Sequence, residues 1–122
     1  MKLQFTANGV VVATATLDSH GSALDFAALL PLELALKDYA ATEKIADLPR
    51  ALATDGAPAT YAPLAGDICF YAPWGNLAIF YGDGEHSEGL VRLGRLDSGL
   101  DAIRCAGAQA VVLALAQRPR HQ

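Results

Sequence analysis

Cysteine is scarce in this sequence: there are 2, Cys69 and Cys105, far apart and neither in a Cys-x-x-Cys pair. That removes metal sites built on paired cysteines. A disulfide between them is not expected either, because in a reducing compartment two apolar-flanked cysteines serve as small hydrophobes. Positive charge is also short. Lys and Arg total 9 against 13 Asp and Glu, a net −4 spread evenly along the chain. With no basic excess to neutralise phosphates, a nucleic-acid partner is excluded. Long apolar runs are absent: the longest, Ala110 to Ala116, has 7 residues, against the roughly 18 needed to span a bilayer. The N-terminus lacks the unbroken apolar stretch of a signal peptide, since Gln4, Thr6 and Asn8 interrupt it. These absences imply a cytoplasmic protein that does not enter a membrane. What the sequence does hold is apolar content, 52% of 122 residues. That is enough for one domain with a substantial core and too much for a disordered chain.

Alternation of period two marks the strands. Leu3 and Phe5 alternate with Lys2, Gln4 and Thr6, and Val10 to Leu17 is β-branched and alternating. Asn8-Gly9 between them is a strong type I′ hairpin signal, because both residues tolerate positive φ. After the loop Asp18-Ser19-His20-Gly21, Ser22 reads as the N-cap of a short apolar helix over residues 23–30, with Asp25 near its positive end and Pro31 ending it. Leu32, Leu34 and Leu36 alternate again. Residues 38–66 hold three of the six prolines, Pro49, Pro58 and Pro63, and read as a long ordered loop with a helical turn. Loops of that length in compact domains are often functional. Strands are expected at 67–71, 77–81, 90–96 (with Gly94 marking a bulge) and 110–116, where Val111, Leu113 and Leu115 share a face. A short helical segment follows Asp97-Ser98-Gly99 as far as Arg104. Residues 1–116 form the domain and 117–122 a frayed tail. Seven or eight short strands and two short helices, without a βαβ rhythm, indicate a β-barrel or sandwich.

Three stretches carry a family resemblance: Asp38 to Pro49, then Gly66-Asp67-Ile68-Cys69-Phe70-Tyr71-Ala72-Pro73-Trp74-Gly75-Asn76-Leu77-Ala78-Ile79-Phe80-Tyr81, then Leu93-Gly94-Arg95-Leu96-Asp97. Over about residues 1–116 the chain resembles the small cyclophilin-like domain proteins of bacteria and archaea. The resemblance implies a mainly β fold, a closed antiparallel barrel with two short helices, one capping each end. It does not carry an activity. Cyclophilins isomerise Xaa-Pro bonds with an arginine beside an apolar aromatic groove, preceded by Phe-His and with a glutamine nearby. Here there is no Phe-His-Arg run, and Gln4, Gln109, Gln117 and Gln122 lie outside any aromatic motif. Arg50 is the arginine nearest a proline-rich loop, in a context that does not match.

Other chemistry finds little support in the residues. His20 and His86 fall in loops and His121 in the tail, none with a ligand-spaced partner, so they read as solvated and no metal or cofactor is expected. Gly82-Asp83-Gly84 lacks the third glycine of a dinucleotide loop and reads as an exposed hairpin loop. Ser87 and Ser98 lack a nucleophile context, and Asp97 or Ser98 suits a helix N-cap. No catalytic residue is assigned. The aromatic stretch remains. If Phe70 packs inward, Cys69 and Tyr71 face outward. Tyr71 then stands near Trp74 with the Asn76 amide beside it, a composition suited to small-molecule and peptide sites. The same aromatics could instead complete the core. Should the 39–50 loop fold over them, Tyr39, Glu43 and Arg50 would join, although Glu43-Lys44 also reads as a solvated pair or a loop tether. The candidate ligand-binding set is therefore Tyr39, Glu43, Arg50, Tyr71, Trp74 and Asn76. Three functions follow: a non-enzymatic binding module for a small molecule or peptide, a divergent prolyl isomerase, or a homodimer joined through its aromatic surface.

Overall fold

Asn8 (φ 52°) and Gly9 (φ 78°) turn the first strand back on the second, as the dipeptide predicts. The computed structural model describes residues 1–105 and 108–116, so the expected tail at 117–122, with His121, lies outside the described residues. The strands are β1 (Lys2–Ala7), β2 (Val10–Leu17), β3 (Leu32–Tyr39), β4 (Glu43–Asp47), β5 (Thr60–Tyr61), β6 (Asp67–Tyr71), β7 (Asn76–Phe80), β8 (Ser87–Glu88), β9 (Leu90–Ser98) and β10 (Gln109–Leu115). The helices are α1 (Gly21–Ala27) and α2 (Leu100–Arg104). Eight strands close into an antiparallel barrel in the order β1-β10-β3-β4-β7-β6-β9-β2, while β5 and β8 pair as a separate ribbon. Closure removes the free edges that an open sheet would expose. Among the described residues no helix is long and apolar enough to cross a membrane.

The barrel interior follows the alternation. Leu3 and Phe5, Ala13 and Leu17, Leu36, Ile68 and Phe70, Leu77 and Ile79, Leu93 and Leu113 form one buried cluster. Phe26 of α1 and Ile103 of α2 join it, each fully buried. The connection from β2 to β3 carries α1, and α2 packs on β2 and β4 at the opposite end. Each helix therefore plugs one mouth. On β10, Val111 and Leu113 face inward, but Leu115 at the strand end is 44% exposed. Register skips place extra residues in β9 opposite β6 and opposite β2, and Gly94 sits at the first of these, as a bulge requires.

Five sequence expectations change. Residues 38–66 are not one long loop. Ala40 and Ala41, both at positive φ, form a tight turn, and β4 fills a barrel position between β3 and β7. The strand was hidden because its inward positions are Lys44 and Ala46, not two apolar residues. Lys44 is fully buried, with its ammonium on the Cys105 carbonyl and the Asp38 carboxylate, so it is neither a solvated partner of Glu43 nor a loop tether. The cap of α1 is His20, whose Nδ1 accepts from the Ala23 amide while Nε2 donates to the Arg92 carbonyl. Ser22 donates to the Ala53 carbonyl instead. The cap of α2 is Gly99, and Asp97 and Ser98 belong to β9, where they bond Thr16 and Thr14 across the sheet. Finally, Cys69 and Cys105 are free thiols, the first buried and the second exposed.

Candidate functional site

The outer face of β6 and β7 is not left to water. Alternation turns Cys69, Ala78 and Phe80 outward, where they build a second cluster with Leu90, packed by Ile45, Tyr61 and Tyr71. The β5–β8 ribbon and the 82–86 loop cover it. Gly84 packs against Pro63 so closely that a Cβ there would meet the proline ring at 2.9 Å. Asp67 lies fully buried under the ribbon. Its Oδ2 accepts from the Tyr61 hydroxyl and the Leu64 amide. Desolvation, with this carboxylate as second cause, pushes the Tyr61 phenol up to about 12. Burial likewise pushes the Cys69 thiol up, which makes it a packing group and not a nucleophile.

Where this cover ends, a cavity of about 460 Å³ opens between the β3–β4 turn, the Tyr71–Asn76 turn and the 83–87 segment. Five of the six residues selected from sequence line it: Tyr39, Glu43, Tyr71, Trp74 and Asn76. The turn that presents Trp74 is closed by its amide and that of Gly75 on the Tyr71 carbonyl, with Gly75 at φ 69°. The indole is 57% exposed. It stands edge-on to two rings, Tyr39 at 5.3 Å and 88° and Tyr71 at 5.5 Å and 80°, the perpendicular geometry that ring quadrupoles favour. Asn76 is buried. Its amide nitrogen donates to the Leu77 carbonyl, and its Oδ1 has no hydrogen-bond partner. Asp83 and Glu85 complete an acidic wall that the sequence reading treated only as an exposed loop.

The sixth residue, Arg50, is elsewhere. Its guanidinium grips Asp25 of α1 at 2.8 and 2.9 Å. This pairing, helped by the Ala53 amide, holds the Asp25 carboxyl down at about 2. Arg50 ties the chain after β4 to α1 and does not reach the aromatic cavity. A smaller cavity of about 250 Å³ beside α1 is lined by Asp18, His20, Tyr61 and Arg92 among others. His20, read from sequence as a solvated loop residue, is a cap there. Among the described residues no group of three or more His, Cys, Asp or Glu is placed to hold a metal ion.

Glu43 is half-buried at the cavity wall, and desolvation raises its carboxyl above the ordinary 4.5. A carboxylic acid raised on folding favours the native state below its unfolded value. That contribution is lost as pH rises through the folded value, so the ionised form is a burden at neutral pH. Glu43→Gln is therefore expected to raise the melting temperature at pH 7, with the gain disappearing below about pH 4. Thermal unfolding at both pH values tests this. An unchanged or lower melting temperature at pH 7 would show that the carboxylate is structurally favourable.

A family model described as the cyclophilin-like family matches residues 5–113. No curated protein sequence matches the chain. Among solved structures, the chain is similar to the solution structure of the hypothetical protein AF2241 from Archaeoglobus fulgidus, with a TM-score of 0.62, 17% identity and 95% of each chain covered. At that identity the likeness shows a shared fold.

Proposed function

This chain belongs to the cyclophilin-like family, and on that premise we propose that it is a binding module. Its outer-face cavity takes a small organic molecule or a short peptide segment without chemistry of its own. One observation carries the reading: Tyr39 at the end of β3 and Tyr71 and Trp74 of the β6–β7 turn come together at one cavity that also holds Glu43 and Asn76. Apolar rings with a few placed polar groups are the usual construction of a ligand site. Among the described residues no arginine lines the cavity, so the group on which the prolyl isomerases of this resemblance depend has no counterpart among them there. A cytoplasmic setting belongs to the same reading, supported by two free thiols. The exposure of Trp74 and Tyr39, 57% and 43%, also suits a homodimer contact through the same rings.

One titration separates the readings. Capped Ala-Pro and Phe-Pro amides and the neutral aromatic indole are added, with exchange NMR on the peptide cis and trans signals and emission from Trp74, the 1 tryptophan of the chain. Saturable broadening or an emission shift without cis–trans exchange peaks, weakened by Tyr71→Ala, is the expected result. New exchange peaks, which stand out against uncatalysed exchange of roughly tens of seconds, would replace the module by an isomerase. Silence from every probe, with emission that changes only on diluting the protein, would replace it by a self-associating surface.

A further inference from the structure

The cavity proposed above as a binding site also carries information about the charge of its ligand. Among the described residues its lining holds three acidic residues, Glu43, Asp83 (whose Oδ1 already accepts from the Ala65 amide) and Glu85, and neither lysine nor arginine. Two of the nearby cations, Lys44 and Arg50, are engaged elsewhere. Lys44, next to Glu43 in sequence, points into the barrel onto Asp38 and the Cys105 carbonyl. Lys37 is exposed and lines the adjoining groove, which holds Asp38 and Asp47 and shares Tyr39, Trp74 and Asn76 with the cavity, but it does not line the cavity itself. Arg50 is clamped on Asp25.

Two independent features point the same way. Asn76 is 3% exposed, lines this cavity, and has an Oδ1 with no hydrogen-bond partner. A buried acceptor left open asks for a donor. The Trp74 ring stands nearly perpendicular to those of Tyr39 and Tyr71, and the negative faces of such rings attract cations. Carboxylates, an open carbonyl and π faces are complementary to one ligand chemistry, a positive charge that carries N–H donors. An anion would meet three carboxylates with no cation among the described residues of the lining, and a neutral apolar ligand would leave Glu43, Glu85 and the Asn76 oxygen unused.

Resting on the binding reading, we infer that the cavity takes an N–H-bearing organic cation, an alkylguanidinium or alkylammonium group such as the side chain of an arginine or lysine in a peptide.

The test uses the full chain and Trp74 emission, with Nα-acetyl-argininamide against its uncharged near-isostere Nα-acetyl-citrullinamide, and tetramethylammonium as a cation without donors. The expected result is saturable binding of the arginine probe at least about tenfold tighter than the citrulline probe. It should weaken with added salt and fall several-fold in Glu43→Gln, a variant expected to be at least as stable as the parent at neutral pH. Tetramethylammonium should bind more weakly than the arginine probe. Citrulline binding as tightly as arginine, or an affinity unchanged in Glu43→Gln, would overturn the cation inference. Tetramethylammonium equalling the arginine probe would overturn its N–H part. If the neutral Phe-Pro amide or indole binds and the arginine probe does not, the inference falls and the binding module stands. Silence from every probe removes both.

Discussion

Gly99→Ala is expected to destabilise the barrel by about 3 kcal/mol, as the sum of two costs. Gly99 has φ 89°, and an L side chain there costs roughly 1 kcal/mol or more. It also lies where the end of β9 crosses β2. A Cβ would stand 2.3 Å from the Val12 carbonyl oxygen and 2.6 Å from the Ala13 Cα. Those atoms are backbone and cannot rotate away, so the strands must part, at about 1–3 kcal/mol by the measure of overpacked cores. Gly9→Ala is the control. Its φ is 78°, but nothing lies within 4 Å of the added carbon, so only the first cost applies. Urea unfolding of both variants measures the difference. Equal losses would mean that the β2–β9 crossing yields more readily than close-packed backbone should.

Gly94 is held by the same kind of approach, with a Cβ 2.3 Å from the Thr16 carbonyl oxygen and no positive φ. Gly94 sits on β9 and Gly99 directly follows its last residue, each beside one of the strand's two register skips. Bulges increase local twist and bend a strand, and an eight-stranded barrel needs such bends to close. Gly94 was legible in the sequence as a break in an otherwise apolar alternation. Gly99 was read only as part of a helix start, because sequence shows which residue tolerates an unusual φ but not which distant backbone it must admit.

The same distinction runs through the rest of the chain. Elements specified by their own residues were readable: the Asn8-Gly9 hairpin, the alternation of β1, β2, β3 and β6, and the close of β10. The element specified by distant partners was not. β4 carries a lysine in an inward position, acceptable only because Asp38 and the Cys105 carbonyl meet it there, and its Ala40-Ala41 turn lacks the glycine or asparagine that announces a hairpin. At the cavity, alternation from Phe70 placed Tyr71 outward, and the short turn kept Trp74 and Asn76 beside it. Tyr39 and Glu43 arrive through strand pairing of β3 with β4 and of β4 with β7. Arg50 was grouped with them by sequence nearness, but it is claimed by Asp25, 25 residues upstream. Asp83 and Glu85 were passed over because an acidic hairpin loop looks the same from sequence whether or not a cavity lies behind it.

The aromatic stretch divides between core and site, and Phe70→Ala against Trp74→Ala is the experiment that reads the division. Phe70 is 1% exposed and belongs to the barrel interior, so its truncation leaves a cavity and should cost about 3–5 kcal/mol. Trp74 is 57% exposed, with ring contacts to Tyr39 and Tyr71. Losing two exposed edge-to-face contacts should cost about 1 kcal/mol. Against a total stability of roughly 5–15 kcal/mol for a domain of this kind, the first change brings the fold near its limit and the second leaves it intact. Chemical denaturation followed by far-UV circular dichroism measures both without relying on indole emission. With Trp74→Ala still folded, loss of the acetyl-argininamide signal, now read on the ligand by NMR, assigns the indole to recognition. If Trp74→Ala instead costs as much as Phe70→Ala, the ring is holding the Tyr71–Asn76 turn in place. The exposed aromatics would then be scaffold, and the cavity beside them would lose its claim to be a site. Measuring stability before affinity therefore decides what any loss of binding means.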